Sequence, residues 1–296
     1  MDNLRESKNV AVVEGLLQEL DLTEANDKNG RPYIRGRVTI RTEQKVGQEV
    51  EISEIPVSVF AYKSKNDGNA NPAYANIKTL ETFKRLTTDG DNAERIRLTS
   101  GRIGENLYAP NGKLISSWVL NNSFFNKVTG DYAPKAVFEM QIVVRSIIEE
   151  TDVNEVPTGR LKVSGVTVKY NGDIDQLNFV VENPQAIAHI QRNWNEKDTV
   201  NIKGYIRVKP VAKVSVKKDN DDFGDDIDTD VGTRTVRELV IAGGSTGCLD
   251  SDEAYDFEAI RQAVVARKAR VDQVEADGLA KSKSNSGSKT SAKKGW

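Results

Sequence analysis

The stretch that decides the fold is Tyr33-Ile34-Arg35-Gly36-Arg37-Val38-Thr39-Ile40-Arg41. Apolar residues alternate along it with polar or aromatic residues, and on a β-strand alternate side chains share a face. The even positions supply aliphatic side chains and a glycine for a core, whereas the odd positions place three arginines and a tyrosine on the opposite face. The stretch is therefore typical of a half-buried strand that presents positive charge outward.

The same alternation recurs from about residue 9 to residue 248, in short runs separated by turns rich in glycine, asparagine and aspartate. It predicts strands at residues 9–22, 32–42, 50–63, 94–103, 113–120, 136–149, 160–170, 174–182, 198–209 and 234–242. Helical spacing replaces it after Asn71-Pro72 and after Asn183-Pro184, and proline in a first turn is a helix start signal. Each half of the chain is therefore predicted as strand, strand, strand, helix, strand, strand.

This repeated order decides the predicted architecture. Five strands with a helix between the third and the fourth is the order of the OB-fold, a five-stranded Greek-key barrel, whereas a β-sandwich would not place a helix at the same point of both halves. We predict a mainly β protein of two tandem OB-like five-stranded barrels, each with one short helix, plus a C-terminal helix and a disordered tail. The predicted segments are an N-terminal arm (1–8), a first OB-like domain (9–133), a second OB-like domain with an acidic loop (134–248, loop 217–232), an amphipathic helix (249–277) and a disordered basic tail (278–296).

Composition excludes several classes of site. The 296 residues carry a formal net charge of −2, with a single cysteine, Cys248, and a single histidine, His189. These counts exclude an intramolecular disulfide framework, a CxxC zinc site and an HExxH metal site. No apolar run approaches the roughly 20 residues that cross a bilayer, and the first residues lack an apolar signal core, so we expect a cytoplasmic protein with no membrane partner.

Basic and aromatic residues on outward strand faces are the candidate functional residues. In the third predicted strand, the aliphatic residues Val57, Val59 and Ala61 alternate with polar or aromatic residues. If these aliphatic residues point inward, Phe60 and Tyr62 face outward beside the arginines of the second strand. Arginines neutralise phosphates and rings stack on bases, so the combination indicates a single-stranded nucleic acid as ligand. The alternatives are a merely solvated strand face, or aromatic rings covered by the second barrel or the C-terminal helix. The predicted nucleic-acid-binding residues are Tyr33, Arg35, Arg37, Arg41, Phe60, Tyr62, Lys63, Arg95, Arg97, Lys203, Tyr205 and Arg207.

The segment between the last two predicted strands is strongly acidic. Residues 219–230 hold seven aspartates and no base, and Asp226, Asp228 and Asp230 imitate the start of an EF-hand loop. Val231 stands where that loop requires glycine and Glu238 arrives one position late, so no metal site is predicted. The segment would dock a basic partner, compete with DNA for the basic face, or only add solubility. Its candidate residues are Asp221, Asp222, Phe223, Asp225, Asp226 and Asp228.

The chain has no GxxxxGK[ST] loop and no glycine-rich dinucleotide turn, so we predict no enzyme activity, no catalytic residue and no cofactor. The tandem strand–helix–strand units, the basic and aromatic strand faces and the acidic segment resemble a phage-type single-stranded DNA-binding protein with OB-fold domains. The resemblance covers roughly residues 9–248 at the level of organisation. It implies a protein that coats single-stranded DNA during replication or recombination in the host bacterial cytoplasm, with replication or recombination proteins as further partners. A structural virion protein that uses OB-like barrels as connectors, and an accessory module of an enzyme, are the alternative hypotheses.

Overall fold

The computed structural model describes residues 4–212 and 233–287. The strands in these residues are β1 (Asn9–Asn26), β2 (Pro32–Val46), β3 (Glu49–Tyr62), β4 (Arg95–Tyr108), β5 (Ile115–Asn121), β6 (Asn126–Lys127), β7 (Lys135–Thr151), β8 (Pro157–Val168), β9 (Ile174–Val181), β10 (Thr199–Ala212) and β11 (Thr233–Gly244). The α-helices are α1 (Pro72–Thr79), α2 (Leu86–Asp89), α3 (Pro184–Asn193) and α4 (Phe257–Gly287). Each predicted strand overlaps one of the long strands, so the mainly β class is confirmed; the short β6 and α2 were not predicted.

The described strands belong to one hydrogen-bonded sheet, whereas the sequence analysis predicted two tandem barrels. Its strand order is β10-β11-β9-β8-β7-β1-β2-β3-β5-β4-β6. Strand pairing forms two closed circuits within this sheet. The first circuit is β1–β2–β3–β5–β4–β1. The second circuit is β7–β8–β9–β11–β10–β7. The halves merge because residues 9–14 of β1 also pair with residues 135–140 of β7.

The two Asn-Pro dipeptides begin helices at the same place in both halves. The Asn71 side chain accepts a hydrogen bond from the backbone N–H of Ala73 at 3.1 Å, and that of Asn183 accepts one from Gln185 at 2.9 Å. Each asparagine thereby caps a helix whose first residue is a proline that has no N–H to satisfy. As predicted, α1 follows the third strand of the first half, and α3 follows the third strand of the second.

One apolar core runs through both halves. Leu17, Ile34 and Phe179 are fully buried members of a single contiguous cluster, together with Phe138 and Ile206, which are at most 2% exposed. Burial of each such side chain contributes about 1.5–3 kcal/mol, so the shared cluster couples the folding of the two halves. A smaller cluster below α4 holds Ile260 against Val143, Val166 and Ile174.

Two glycines let β1 and β2 approach each other closely. A Cβ atom on Gly15 would lie 2.2 Å from the carbonyl oxygen of Arg41, and one on Gly36 would lie 1.9 Å from that of Asp21. Gly36 also has φ of +151°, in the region that side chains rarely allow. Both positions therefore require glycine, and Gly36 does so between the two outward arginines of β2.

The far end of the β2–β3 hairpin lies against the second half of the molecule. The Gln44 side chain donates to the Ile206 carbonyl at 3.3 Å and accepts from the backbone N–H of Ala136 at 2.8 Å. Ser53 Oγ accepts from the backbone N–H of Val208 at 3.2 Å. These buried hydrogen bonds from side chains to backbone atoms attach this end of the hairpin to β7 and β10.

The long helix α4 joins the halves on another side of the molecule. The Arg267 guanidinium forms two hydrogen bonds with the carboxylate of Glu105 on β4, which is 1% exposed, and Arg270 Nη2 donates to the Ile174 carbonyl at 2.8 Å. The helix continues to Gly287, ten residues beyond the predicted end at residue 277, so the predicted disordered tail is wrong for residues 278–287. At the start of this extension Gly278 packs on the backbone of Ala109, where a Cβ would lie 2.0 Å from the carbonyl oxygen. Residues 288–296 lie outside the described residues. Nowhere in the described part of the chain is a helix both long and apolar enough to cross a membrane.

Candidate nucleic-acid interface

The register of β2 and β3 brings the predicted aromatic and basic residues onto one outer face. Tyr33 pairs with Tyr62, Arg35 pairs with Phe60, and Arg37 pairs with Ser58. The intervening residues, among them Ile34, Val38, Val57 and Val59, are buried in the core. The alternation in the sequence therefore predicted the faces of both strands correctly.

Tyr33, Phe60 and Tyr62 form a cluster of three rings, the aromatic platform. The ring centroids of Tyr33 and Phe60 are 5.4 Å apart, and those of Phe60 and Tyr62 are 5.1 Å apart with an edge-to-face angle of 86°. Arg31 lies over Tyr62 with its guanidinium carbon 4.2 Å from the ring centroid. Such pairs hold one another in position, so the platform is ordered without a ligand.

The platform is open to solvent. Phe60 is 50% exposed, and Tyr33 and Tyr62 are half-buried, mainly by one another and by Arg31. The helix α4 packs on β4, β9 and residues 110–112, and β10 of the second half meets β3 near Glu51 and Ser53. Among the residues that the structure describes, neither the second half nor the C-terminal helix covers Phe60, which was the structural alternative to a binding role.

A groove of about 620 Å³ runs along the arginine side of the platform. Its polar walls are formed by Arg35 and Arg37 of β2 and by Arg237 of β11, with Asp21 as an acidic member. The full lining is Asp21, Thr23, Arg35, Gly36, Arg37, Pro56, Ser58, Val59, Phe60, Asn106, Trp118, Val119 and Arg237. The groove therefore joins an exposed aromatic ring, three guanidinium groups and residues from both halves of the chain.

Arg237 is a site residue that the sequence analysis missed. Its guanidinium carbon lies 4.5 Å from the ring centroid of Trp118, and its Nη2 donates to the Trp118 carbonyl at 3.2 Å. Desolvation and, second, the positive charge of Arg37 lower the pKa of Arg237 below its ordinary value. No sequence signal could have found it, because its partners belong to the other half of the chain.

Arg41 and Lys63 lie at opposite ends of this face. Arg41 is half-buried, pairs in register with Glu54 and forms an ion pair with Glu43 at 3.4 Å, so its charge is compensated. Lys63 is exposed immediately after β3, and its backbone N–H donates to the Pro32 carbonyl at 2.9 Å. Lys63 is thus next to the aromatic platform, whereas Arg41 is outside the groove lining.

Arg95 and Arg97 lie on a different face from the platform. They belong to β4, whose neighbours are β1, β5 and β6, so they do not adjoin β2 or β3. Arg97 Nε lies 2.6 Å from the buried carboxylate of Glu14, and Arg95 stacks over Tyr132 at 4.7 Å. Burial alone would raise the pKa of Glu14, but the bond from Arg97 brings that pKa below its ordinary value. Arg97 is therefore largely a structural ion-pair partner.

Tyr205 and Arg207 lie on the predicted face of β10, but the predicted exposure of that face is wrong for Arg207, and Tyr205 is half-buried. Arg207 is 7% exposed and binds the carboxylates of Glu51, Glu182 and Glu238, and the hydroxyl of Tyr205 donates to Glu182. Burial would lower the pKa of Arg207, but the bonds from these glutamates raise it above its ordinary value. The reason for the error is that the β2–β3 hairpin covers this part of β10.

Lys203 is the exception on β10, since it remains exposed and lies 3.3 Å from Glu139. The candidate residues Asp221, Asp222, Phe223, Asp225, Asp226 and Asp228 lie outside the described residues. Within the described part of the chain, no three acidic, histidine or cysteine side chains gather closely enough to hold a metal ion.

These observations define a mainly β protein with an exposed aromatic platform beside an arginine-lined groove. The family model YorF matches residues 8–277, and the chain belongs to the YorF family. No curated protein matches the chain. Among solved structures, it is similar to the wild-type single-stranded DNA binding protein from Thermus aquaticus, at 9% identity and a TM-score of 0.49, over 85% of this chain and 98% of that one. A deletion mutant of the same Thermus aquaticus protein matches at 9% identity and a TM-score of 0.48, over 83% of this chain and 97% of that one.

Proposed function

We propose that this chain binds single-stranded DNA on the outer face of β2 and β3, without sequence preference and without enzymatic activity. The observation that carries the proposal is the aromatic platform, of which Phe60 is 50% exposed beside Arg35 and Arg37. Stacking of one base on an aromatic side chain contributes about 1–3 kcal/mol, and every base offers a flat face to stack. In a duplex these faces are already stacked on neighbouring bases, so the platform favours a single strand.

The charges of the groove support a phosphate-bearing ligand. Among the residues that the structure describes, no carboxylate lies within 4.0 Å of Arg35 or Arg37. Arg41, Arg97 and Arg207, in contrast, each form an ion pair with a glutamate. An arginine that forms no close ion pair is available to a phosphate oxygen and releases condensed counterions when it binds. The two arginines and the platform together can therefore hold the backbone and the bases of one strand.

We further propose that the two closed pairing circuits are OB-type barrels and that the first of them is the main DNA-binding unit. The β2–β3 face is the surface with which OB-folds commonly bind oligonucleotides. The corresponding face of β8 and β9 carries Lys162, Ser164, Gln176 and Asn178, without an aromatic ring. A coating role in replication or recombination, a phage origin and recruitment of partners through the aspartate-rich segment at 219–230 remain proposals from the sequence.

Fluorescence anisotropy with labelled dT oligonucleotides and a matched duplex tests the proposal. We expect the parent protein to bind the single strand more tightly than the duplex. Phe60→Ala should weaken single-strand binding about 5- to 150-fold, the equivalent of ~1–3 kcal/mol of stacking, with an unchanged melting temperature.

Tyr170→Ala is the matched control, because Tyr170 is an aromatic side chain that is 87% exposed in the turn between β8 and β9, away from the platform. This variant should bind as the parent does. Equal binding by the parent and the folded Phe60→Ala variant, or no single-strand binding by the parent, would contradict the proposed function.

A further inference from the structure

The groove beside the platform is built by both halves of the chain. Arg35 and Arg37 of β2 and Trp118 of β5 belong to the first half, whereas Arg237 of β11 belongs to the second. Arg37 and Arg237 line the same groove, and the positive charge of Arg37 is one of the causes that lower the pKa of Arg237. Two guanidinium groups from distant parts of the sequence therefore converge on one opening.

This convergence costs electrostatic energy in the absence of an anion. Like charges repel, although both Arg37 and Arg237 are exposed side chains, so solvent screens part of the repulsion between them. Among the residues that the structure describes, no carboxylate lies within 4.0 Å of Arg37 or Arg237. Asp21 is the acidic residue in the lining of the groove. A phosphate group between the two arginines would offset the repulsion and accept their hydrogen bonds.

Trp118 holds Arg237 in the same wall of the groove. Its side chain is 8% exposed, and its indole Nε1 has no hydrogen-bond partner among the described residues. That nitrogen is itself buried, so Trp118 acts in the wall through its ring and its carbonyl oxygen, which both contact Arg237. The ring also holds the guanidinium of Arg237, with 4.5 Å from its centroid to the guanidinium carbon.

The position of Arg237 is fixed by contacts next to it in the sequence. The adjacent Glu238 binds Arg207 at 2.9 Å, and Arg207 in turn binds Glu51 on the β2–β3 hairpin. The same ionic network therefore attaches β11 to the strands that carry Arg37. Since these contacts are in place without a ligand, a bound strand would meet a pre-formed pair of arginines.

We propose that Arg37 and Arg237, with Trp118, form a phosphate-binding subsite that carries a single DNA strand from the aromatic platform onto the second half of the protein. This inference rests on the proposed function. Along β2, Tyr33 and Arg37 are four residues, or about 13 Å, apart at ~3.3 Å per residue. A strand whose bases stack on the platform would thus reach Arg237 only after a few further nucleotides.

Titrations with dT oligonucleotides of two lengths test this subsite. We use about four nucleotides, the lower limit of what one OB-type unit covers, and about sixteen, the upper limit. Arg237→Gln should weaken binding of the longer oligonucleotide about tenfold and reduce the slope of log K against log salt by ~0.7, the value for one phosphate contact. Binding of the shorter oligonucleotide should change less than twofold.

Two further variants keep the test sharp. Arg237→Lys preserves the charge, so it should retain the parent's salt slope. Arg192→Gln removes a charge of the same kind from an exposed position on α3, outside the groove lining, and should leave both affinities unchanged. Melting temperatures establish that each variant is folded.

The outcomes separate this inference from the proposed function. If Phe60→Ala weakens binding while Arg237→Gln binds both lengths like the parent, the subsite is wrong and DNA binding on the platform stands. Equal losses for both lengths with Arg237→Gln would also overturn the subsite, because the arginine would then act on the platform itself. If the parent binds neither oligonucleotide, both proposals fail together.

Discussion

The guanidinium of Arg207 on β10 binds both carboxylate oxygens of Glu51 on β3, with Nη2 and Oε2 3.1 Å apart. Each of the two side chains is only 9% exposed, and they belong to different halves of the chain. Paired and hydrogen-bonded charges are tolerated in such a place, whereas a single unpaired charge is not. This pair therefore makes the β2–β3 hairpin, which carries the candidate interface, dependent on the second half.

Glu51→Gln should destabilise the protein by about 1–3 kcal/mol, because it weakens a buried charge-assisted hydrogen bond while Glu182 and Glu238 still compensate Arg207. Urea denaturation followed by circular dichroism measures the change. Glu43→Gln is the control, since Glu43 is exposed and forms a partly exposed ion pair with Arg41 at 3.4 Å, for which the expected cost is below about 1 kcal/mol. Equal stabilities of the Glu51→Gln variant and the parent would show that the remaining glutamates suffice for Arg207.

Gly36→Ala should destabilise β1–β2 pairing beside the arginines of the groove. The added Cβ would lie 1.9 Å from the carbonyl oxygen of Asp21, and the φ of +151° disfavours any side chain. Strained backbone of this kind costs about 1–3 kcal/mol, and the contact with a backbone atom adds to it. Gly130→Ala is the control, since a Cβ there meets nothing within 4 Å. A melting temperature that is lowered equally in both variants would contradict this account.

The aromatic platform could be predicted from the sequence, whereas the set of arginines that lie beside it could not. A period of two assigns Tyr33, Phe60 and Tyr62 to an outer face, and the hairpin register then brings them together. The same reasoning failed for Arg207, because alternation shows which face a side chain occupies but not what covers that face. Arg237 was missed for a related reason, since its partners Trp118 and Arg37 are more than a hundred residues away in the sequence.

The attachment of α4 should weaken in acid. Burial works to raise the pKa of Glu105, but the hydrogen bonds from Arg267 and Ser116 outweigh it and hold the pKa below the ordinary 4.5. A carboxyl whose pKa is lowered by folding contributes stability above its unfolded-state pKa and loses that contribution as the pH falls through the folded-state value. The stabilisation by Glu105 is therefore complete at neutral pH and declines below pH 4.5.

Glu105→Gln tests this effect, and the free energy of unfolding of the parent and the variant should be compared from neutral pH downward. We expect the parent to be more stable at neutral pH and the difference to shrink as the pH falls below 4.5. A difference that is constant across this range would mean that the carboxylate charge of Glu105 does not hold α4.

Charge reversal on β2 is the most direct test of the phosphate contacts. Arg35 and Arg37 are both exposed, line the groove and lack a described carboxylate partner, so each is expected to neutralise one phosphate of the bound strand. Each contact contributes ~0.7 to the slope of log K against log salt for single strands. Arg35→Glu and Arg37→Glu should each weaken binding of every dT or mixed-sequence oligonucleotide alike and flatten that slope by at least ~0.7, as anisotropy titrations at several salt concentrations would measure. Arg192→Glu makes the same change of charge on α3 and should leave the slope as it is in the parent. If all three reversals lower affinity by the same factor with equal slopes, the effect is one of overall charge, and these arginines belong to a solvated strand face.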